Sequence, residues 1–170
     1  MKPVFIIGFM GAGKSTVGGM VAARLGRPFV DLDREIERLA GRTVAELFAA
    51  DGEGGFRDAE HAALAAVARQ SGIVVACGGG VVTDERSYAT LRESGTVVYL
   101  RVTPEEAVAR VGSEVAGRPL LLGGDPAVAA ALLDSRERLY EAVADVTVDT
   151  AGRAPARVAD EVVSFVKDGR

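Results

Sequence analysis

The chain has 170 residues, 48% hydrophobic and 26% charged, so it is long enough to bury a core as one domain without disulfides or structural metals. Its net charge of −4 argues against a general nucleic-acid or membrane-surface binder, and any anion must therefore be bound by locally placed arginines. A single cysteine, Cys77, excludes a disulfide framework and favours the reducing cytoplasm. Glycines and Lys14 interrupt the N-terminal apolar run too early for a signal peptide or a membrane span.

The first apolar run, Val4–Ile7, leads directly into Gly8-Phe9-Met10-Gly11-Ala12-Gly13-Lys14-Ser15. Two glycines separated by four residues and followed by Lys and Ser or Thr, between a strand and a helix, predict a loop that binds a nucleotide triphosphate. The glycines let backbone N–H groups point at phosphate oxygens, and the helix at 17–25 directs its positive dipole end at the same anions. Lys14 supplies a charge for the β and γ phosphates, and Ser15 supplies a hydroxyl ligand for Mg²⁺.

The rest of the chain alternates between apolar runs and segments with helical spacing. The runs that we predict to be strands are 4–7, 29–32, 73–77, 96–100 and 146–148. The segments that we predict to be helices are 17–25, 34–40, 43–49, 56–69, 83–93, a segment starting at Thr103, 125–143 and 155–167. Between 112 and 124 the pattern loosens into a Gly-rich and Pro-containing stretch, where we predict a mobile segment.

Several helix boundaries follow from cap residues. Asp33 is predicted to cap the helix at 34–40, and Thr83 to open the helix at 83–93. Thr43 and Glu46 have the spacing of a capping box. The glycine-rich stretch 51–55 is predicted to break this helix from the next one.

Strands that alternate with helices require crossovers between parallel strands, so we predict a three-layer α/β/α sandwich around a five-stranded parallel sheet. Ligands in such sheets bind at the carboxyl ends of the strands. The loop at 8–15, the acidic residues Asp31 and Asp33, and the triplet Gly78-Gly79-Gly80 each lie at the end of a predicted strand or directly after it. We therefore expect them to share one edge of the sheet.

Six motifs, in this order and spacing, make the chain resemble the shikimate kinase family over essentially its whole length. They are Gly8–Thr16, Asp31-Leu32-Asp33, Phe56-Arg57-Asp58-Ala59-Glu60, Gly78-Gly79-Gly80, Arg118-Pro119-Leu120-Leu121 and the segment from Arg136 to Tyr140. The resemblance implies transfer of a phosphoryl group from ATP to the 3-hydroxyl of shikimate, with Mg²⁺, in aromatic amino-acid biosynthesis. It also implies a nucleoside monophosphate kinase-like fold of one domain, with a substrate-binding region at 32–60 and a lid at 111–125.

The resemblance assigns a nucleotide side and an acceptor side. On the nucleotide side it implies ATP contacts from Gly11, Ala12, Gly13, Lys14, Ser15, Thr16, Arg110, Arg118 and Arg153. Ser15 and, through water, Asp31 would hold Mg²⁺. Arg118, in the lid, would neutralise charge developing on the transferred group. Residues 111–117 are irregular and depart from the usual lid pattern of the family.

On the acceptor side, the resemblance implies shikimate contacts from Asp33, Phe48, Phe56, Arg57, Glu60, Gly78, Gly79, Gly80 and Arg136. Asp33 would orient or deprotonate the attacking hydroxyl. Arg57 and Arg136 would bind the carboxylate, because a guanidinium fork matches a planar carboxylate better than an ammonium does. Glu60 would hold Arg57 in place, and the two phenylalanines would wall the pocket.

Each of these residues also has an ordinary structural explanation. Asp33 could serve only as a helix cap, and Arg57 with Glu60 could be an ordinary surface ion pair on a helix. The glycine triplet could be only a flexible turn, and most arginines in a protein are solvated. The functional interpretation depends on the motifs occurring together.

Three rival functions share part of the pattern. A gluconate or nucleotide kinase would have the same nucleotide loop and fold but would not explain Arg57, Arg136 and the glycine triplet together. A regulatory GTPase needs an Asn-Lys-x-Asp motif, which three lysines, at 2, 14 and 167, do not provide. An inactive family member remains possible, although every expected catalytic position is filled. We predict a cytoplasmic monomer that binds ATP and shikimate, without nucleic acid or membrane.

Overall fold

In a computed structural model that describes residues 1–111 and 125–169, five strands form one parallel sheet. In chain order they are β1 (Val4–Ile7), β2 (Phe29–Asp31), β3 (Val74–Ala76), β4 (Thr96–Arg101) and β5 (Val146–Asp149). Their spatial order is β2-β3-β1-β4-β5, and every neighbouring pair is parallel. The helices of the described residues are α1 (Lys14–Leu25), α2 (Leu32–Ala40), α3 (Val44–Ala68), α4 (Glu85–Ser94), α5 (Pro104–Val111), α6 (Pro126–Val143) and α7 (Pro155–Asp168).

The helices lie on both sides of the sheet, so the predicted three-layer sandwich is confirmed. The central strand β1 is buried along its whole length, and Val4 pairs with Val74 on one side and Thr96 on the other. Burial of both faces explains why the strand reads as a continuous apolar run rather than an alternating one. Cys77, which follows β3, is buried as a small apolar residue.

Two predicted helix caps are wrong. Helix α2 begins at Leu32 and is capped by Asp31, whose Oδ1 accepts hydrogen bonds from the backbone N–H groups of Asp33 and Arg34. Helix α4 is capped by Asp84 instead of Thr83. The Thr83 hydroxyl donates to the Gly80 carbonyl within the 3-10 turn at 81–83, so this side chain already has a local partner.

The backbone of Gly52, with φ 68° and ψ −172°, is not helical, so α3 (Val44–Ala68) consists of two helical stretches that meet at a kink there, and the predicted break is confirmed at this residue. The capping box at the start of α3 is confirmed, because Thr43 Oγ1 accepts from Glu46 N at 3.2 Å and Glu46 Oε2 accepts from Thr43 N at 2.7 Å. No helix in the described ranges is long and apolar enough to cross a membrane.

Candidate active site

One cleft, of about 630 Å³, opens at the carboxyl ends of β1, β2 and β3. It brings together every predicted site residue of the described chain. Those residues are Gly11, Ala12, Gly13, Lys14, Ser15, Thr16, Asp31, Asp33, Phe48, Phe56, Arg57, Glu60, Gly78, Gly79, Gly80, Arg110, Arg136 and Arg153. Arg118 and most of the predicted lid lie outside the described residues.

The loop after β1 directs the start of α1 into the cleft. Gly13 caps this helix in the left-handed conformation, with φ 85°, and α1 begins at Lys14. The Lys14 ammonium donates to the Phe9 carbonyl across 2.9 Å, which curls its side chain back over the loop. A helix N-terminus with N–H groups and a lysine at its mouth favours a phosphate group.

Two oxygen-bearing side chains meet beside this loop. The Ser15 hydroxyl donates to Asp31 Oδ2 at 2.6 Å, while Asp31 Oδ1 caps α2. The cap holds the carboxylate at the end of β2 and leaves Oδ2 directed toward α1. A hydroxyl and a carboxylate are the hard oxygen donors that Mg²⁺ prefers.

A buried ion pair lies on α3 at the opposite end of the cleft. Arg57 Nη1 donates to Glu60 Oε2 at 2.5 Å, and the side chains are 9% and 0% exposed, respectively. Arg57 Nη2 also approaches Glu53 Oε1 at 3.5 Å, and its guanidinium lies 5.2 Å from the Phe56 ring centroid. The i, i+3 spacing alone would suggest a surface ion pair, but this pair is buried. In a buried pair, removing one charge leaves the other without compensation, so each charge depends on its partner.

The pKa of Glu60 is raised to about 7, mainly by burial and to a smaller extent by the charges of Asp33 and Asp84, against the opposing effect of Arg57. Glu60 Oε1 is buried and has no hydrogen-bond partner among the described residues. It faces Gly78, where an added Cβ would lie 2.7 Å from it and 3.3 Å from Asp33 Oδ1. The two carboxylates therefore converge on Gly78.

A second buried guanidinium, that of Arg136 on α6, is only 5% exposed. No carboxylate of the described residues pairs with it, in contrast to Arg57. Both arginines line the cleft. A buried cation without an anionic partner is costly, so this end of the cleft is prepared for a ligand that carries negative charge.

The glycine triplet after β3 lies between the two arginines and the phosphate loop. A Cβ on Gly80 would fall 2.1 Å from Arg57 Nη2, so the guanidinium occupies the space that a side chain would need. The Gly79 carbonyl accepts a hydrogen bond from the Tyr140 hydroxyl. The triplet is therefore a packed element of the site and not merely a flexible turn.

Phe48 and Phe56 form one wall of the cleft. Their rings stack with centroids 4.4 Å apart and planes at 26°. Gly52 bends α3 between them, and the bend lets both rings reach the same wall. An apolar wall next to two arginines suits a ligand with a carbon ring and an acidic group.

Two arginines border the other end of the cleft. Arg110 donates from Nη1 to the Gly11 carbonyl at 3.1 Å and from Nη2 to the Thr150 carbonyl at 3.1 Å. Arg153 donates to Glu161 and to the Asp149 carbonyl. In this structure Arg110 thus links the phosphate loop to the end of β5.

Sequence reasoning missed several residues that line the cleft: Met10, Val17, Arg34, Val44, Ala76, Cys77, Thr150, Pro155 and Val158. Thr150 and Pro155 follow β5, on either side of the predicted residue Arg153. The rule that ligands bind at the carboxyl ends of parallel strands is the signal that could have found them.

A parallel sheet with a phosphate loop at the start of α1 and an acceptor pocket beside it defines a P-loop phosphotransferase. The family model for shikimate kinase matches residues 10–167. This chain belongs to the shikimate kinase family.

Individual relatives agree with this family. The chain is 43% identical over 168 residues to the shikimate kinase of Chromohalobacter salexigens, covering 98% of this chain and 93% of the relative. The structure of shikimate kinase from Acinetobacter baumannii in complex with shikimate matches with a TM-score of 0.94 and 35% identity, over 100% of this chain and 95% of the other. A gluconokinase from Sinorhizobium meliloti, at a TM-score of 0.62 and 19% identity over 98% and 92% of the two chains, shares the fold.

Proposed function

We propose that this chain transfers the γ-phosphoryl group of ATP to the 3-hydroxyl of shikimate, giving shikimate 3-phosphate and ADP in aromatic amino-acid biosynthesis. The observation that carries the proposal is Arg136, a buried guanidinium without a carboxylate partner in the described chain, in the same cleft as the phosphate loop. Gluconate also carries a carboxylate, but it has no ring to pack on the Phe48 and Phe56 wall.

We assign the acceptor carboxylate to Arg57 and Arg136. Glu60 restrains Arg57 through their 2.5 Å contact, so less side-chain freedom is lost when the ligand binds. Arg136 gains an anionic partner only when the ligand is present. The ring of shikimate then rests on the phenylalanine wall, and Gly78, Gly79 and Gly80 approach it without side chains in the way.

We assign the phosphates of ATP to residues 11–16. The N–H groups of the loop and of α1 bind the phosphate oxygens, and Lys14 moves from the Phe9 carbonyl to the β and γ phosphates. Arg110 and Arg153 border the nucleotide at the end of the cleft formed after β5. Arg118, on the proposed lid at 111–125, is assigned to the transferred phosphoryl group from family position alone.

The residues present fit a Mg²⁺ ion. Ser15 Oγ and Asp31 Oδ2 already lie 2.6 Å apart at the phosphate loop. Mg²⁺ in such sites takes one or two protein oxygens together with phosphate oxygens and waters. Ser15 would hold the ion directly and Asp31 through water, and the ion would neutralise charge on the phosphates.

Catalysis by this chain is mainly positioning and charge stabilisation. Asp33, which converges with Glu60 on Gly78, accepts a hydrogen bond from the attacking hydroxyl and takes its proton or orients it. Lys14 stabilises negative charge on the migrating group. Closure of the cleft excludes water, which would otherwise compete with the acceptor.

The acceptor side of the cleft is built mainly from one continuous stretch of the chain. We assign residues 32–60 to the acceptor side, since Asp33, Phe48, Phe56, Arg57 and Glu60 all line the cleft. We further propose that the enzyme works as a cytoplasmic monomer, without nucleic acid or membrane.

The test is ADP release from MgATP by the purified chain, without an acceptor and then with shikimate, gluconate and CMP in separate reactions. We expect turnover with shikimate alone. Turnover with gluconate or CMP instead would retain the phosphotransferase and overturn the acceptor pocket as assigned here. ADP release without any acceptor at the same rate would overturn the proposal of a kinase.

A further inference from the structure

The hydrogen bond between Tyr140 and Gly79 joins two residues 61 positions apart in the chain. Tyr140 is fully buried on α6, one helical turn after Arg136. Gly79 lines the cleft, whereas Tyr140 does not. The bond therefore ties a residue that lines the cleft to a buried residue of α6.

This bond determines the direction of the next N–H group. The described residues contain no cis peptide bond, so the carbonyl of Gly79 and the N–H of Gly80 point in opposite directions within one rigid plane. Anchoring the carbonyl on Tyr140 therefore turns the Gly80 N–H away from Tyr140, and Gly80 itself lines the cleft. No acceptor among the described residues takes this N–H. Two adjacent glycines would otherwise allow the plane to rotate.

The surroundings keep the Tyr140 hydroxyl as a donor. Burial raises the pKa of Tyr140 to about 12, while the charge of Arg136 and a hydrogen bond between the Arg136 and Tyr140 side chains lower it, so the hydroxyl keeps its proton near neutral pH. The ring stacks on Tyr99 with centroids 5.0 Å apart and planes at 22°. The stacking restricts the orientation of the Tyr140 ring, and the position of the hydroxyl follows from the orientation of the ring.

We propose that Tyr140 is a positioning residue for the acceptor, because it holds the Gly79–Gly80 peptide so that the Gly80 N–H binds an oxygen of the acceptor. The inference rests on the proposed function. It adds that α6 contributes to acceptor binding twice, directly through Arg136 and indirectly through Tyr140.

Tyr99 offers a matched control. Its hydroxyl is buried and has no hydrogen-bond partner among the described residues, although its ring is half of the same stack. Tyr140→Phe and Tyr99→Phe each remove one buried hydroxyl and keep the rings. Only the first removes a contact to the glycine triplet, and it also removes the hydrogen bond between Tyr140 and Arg136.

The experiment measures kcat, the KM for shikimate and the KM for MgATP for the wild type and both variants, together with their Tm values. We expect Tyr140→Phe to lower kcat/KM for shikimate about tenfold, mainly through KM, because one oriented hydrogen bond is lost. The KM for MgATP should change less than about twofold. Tyr99→Phe should match the wild type in all three constants.

Other outcomes overturn the inference. Unchanged constants for shikimate in Tyr140→Phe would show that the bond does not position the acceptor. Equal increases in both KM values, or a lowered Tm with unchanged constants, would assign the hydroxyl to structure alone. If the wild type itself does not use shikimate, the proposed function fails and this inference fails with it.

Discussion

Ser15 and Asp31 share a hydrogen bond of 2.6 Å across the gap between the phosphate loop and the end of β2. The bond uses one carboxylate oxygen, while the other caps α2, so Asp31 performs two structural tasks before any ligand arrives. A cation that binds at Ser15 as proposed would have to take the place of this bond. The proposed metal site and the start of the proposed acceptor region are thereby connected through one side chain.

Replacing Ser15 with Ala should raise the Mg²⁺ concentration needed for half-maximal activity by about tenfold or more, because an oxygen that holds the ion is lost. Initial rates against free Mg²⁺ at fixed ATP measure this. Ser164→Ala, which removes a hydroxyl bonded only to Asp168 on α7, is the control and should leave the Mg²⁺ dependence unchanged. The same dependence in both variants would remove Ser15 from the metal site.

Asp33→Asn should abolish most turnover, by roughly 10²–10⁴-fold, with ATP binding largely intact, because the amide cannot accept a proton. Steady-state kinetics and nucleotide binding by calorimetry separate the two effects. Asp58→Asn, on the exposed side of α3 where Asp58 pairs with Arg86, is the matched control. Turnover retained by Asp33→Asn would exclude the carboxylate from the mechanism.

Arg136→Ala should raise the KM for shikimate roughly 30-fold or more, since losing a buried charged partner costs about 2 kcal/mol or more. Arg136→Lys should recover only part of this, because an ammonium cannot form the two parallel bonds of a guanidinium. Arg157→Ala, an exposed arginine at the start of α7, should behave like the wild type. A KM for shikimate that is insensitive to Arg136 would argue against the carboxylate assignment.

Gly80→Ala tests the packing of the glycine triplet. The new Cβ would lie 2.1 Å from Arg57 Nη2, so the guanidinium must move and the KM for shikimate should rise at least about tenfold. Gly19→Ala provides the comparison, because a Cβ there meets nothing within 4 Å and stabilises the interior of α1 by about 0.5–1 kcal/mol. Normal shikimate kinetics in Gly80→Ala would mean that Arg57 is free to adopt another position.

The stability of the chain should depend on pH through Glu60. Its pKa of about 7 in the folded chain lies above the ordinary value of 4.5, so between these values the folded state binds more protons than the unfolded state. The free energy of unfolding therefore falls as pH rises through this window, by up to about 3 kcal/mol. Urea unfolding of the wild type and Glu60→Gln at pH 4.5 and pH 8 isolates this contribution, because other groups cancel in the difference.

The sign of the effect can be checked with a second residue. The wild type should lose stability relative to Glu60→Gln as pH rises. Hydrogen bonds from Thr43 lower the pKa of Glu46, so the wild type should instead lose stability relative to Glu46→Gln as pH falls. A pH-independent difference between the wild type and Glu60→Gln would contradict the buried, raised pKa.

Local patterns were sufficient to predict the sheet, the phosphate loop and the positions of the acidic residues. Strand β1 and the loop after it depend on neighbours in sequence, and so does the capping box at Thr43. The two wrong caps show the limit of such reasoning. Asp31 and Asp33 are both good cap residues, and which of them caps α2 depends on where β2 ends, which pairing with β3 decides.

Contacts between distant parts of the chain could not be predicted from the residues. Arg110 reaches Gly11 across 99 positions, and Tyr140 reaches Gly79 across 61. These contacts depend on how α5 and α6 pack on the sheet, which no local sequence pattern specifies. Burial of the pair Arg57 and Glu60 is of the same kind, since the spacing is equally suited to an exposed helix face.

Packing inside the protein, and not only phosphate binding, requires glycine at two positions of the phosphate loop. A Cβ on Gly8 would lie 2.4 Å from the Leu100 carbonyl oxygen, and one on Gly11 would lie 2.8 Å from that of Ala107. The loop is thus moulded by the end of β4 and the first turn of α5. Grafting residues 8–15 onto another scaffold would transfer the motif without the backbone that packs against it. A design that reuses the loop should therefore include the end of β4 and the first turn of α5 as well.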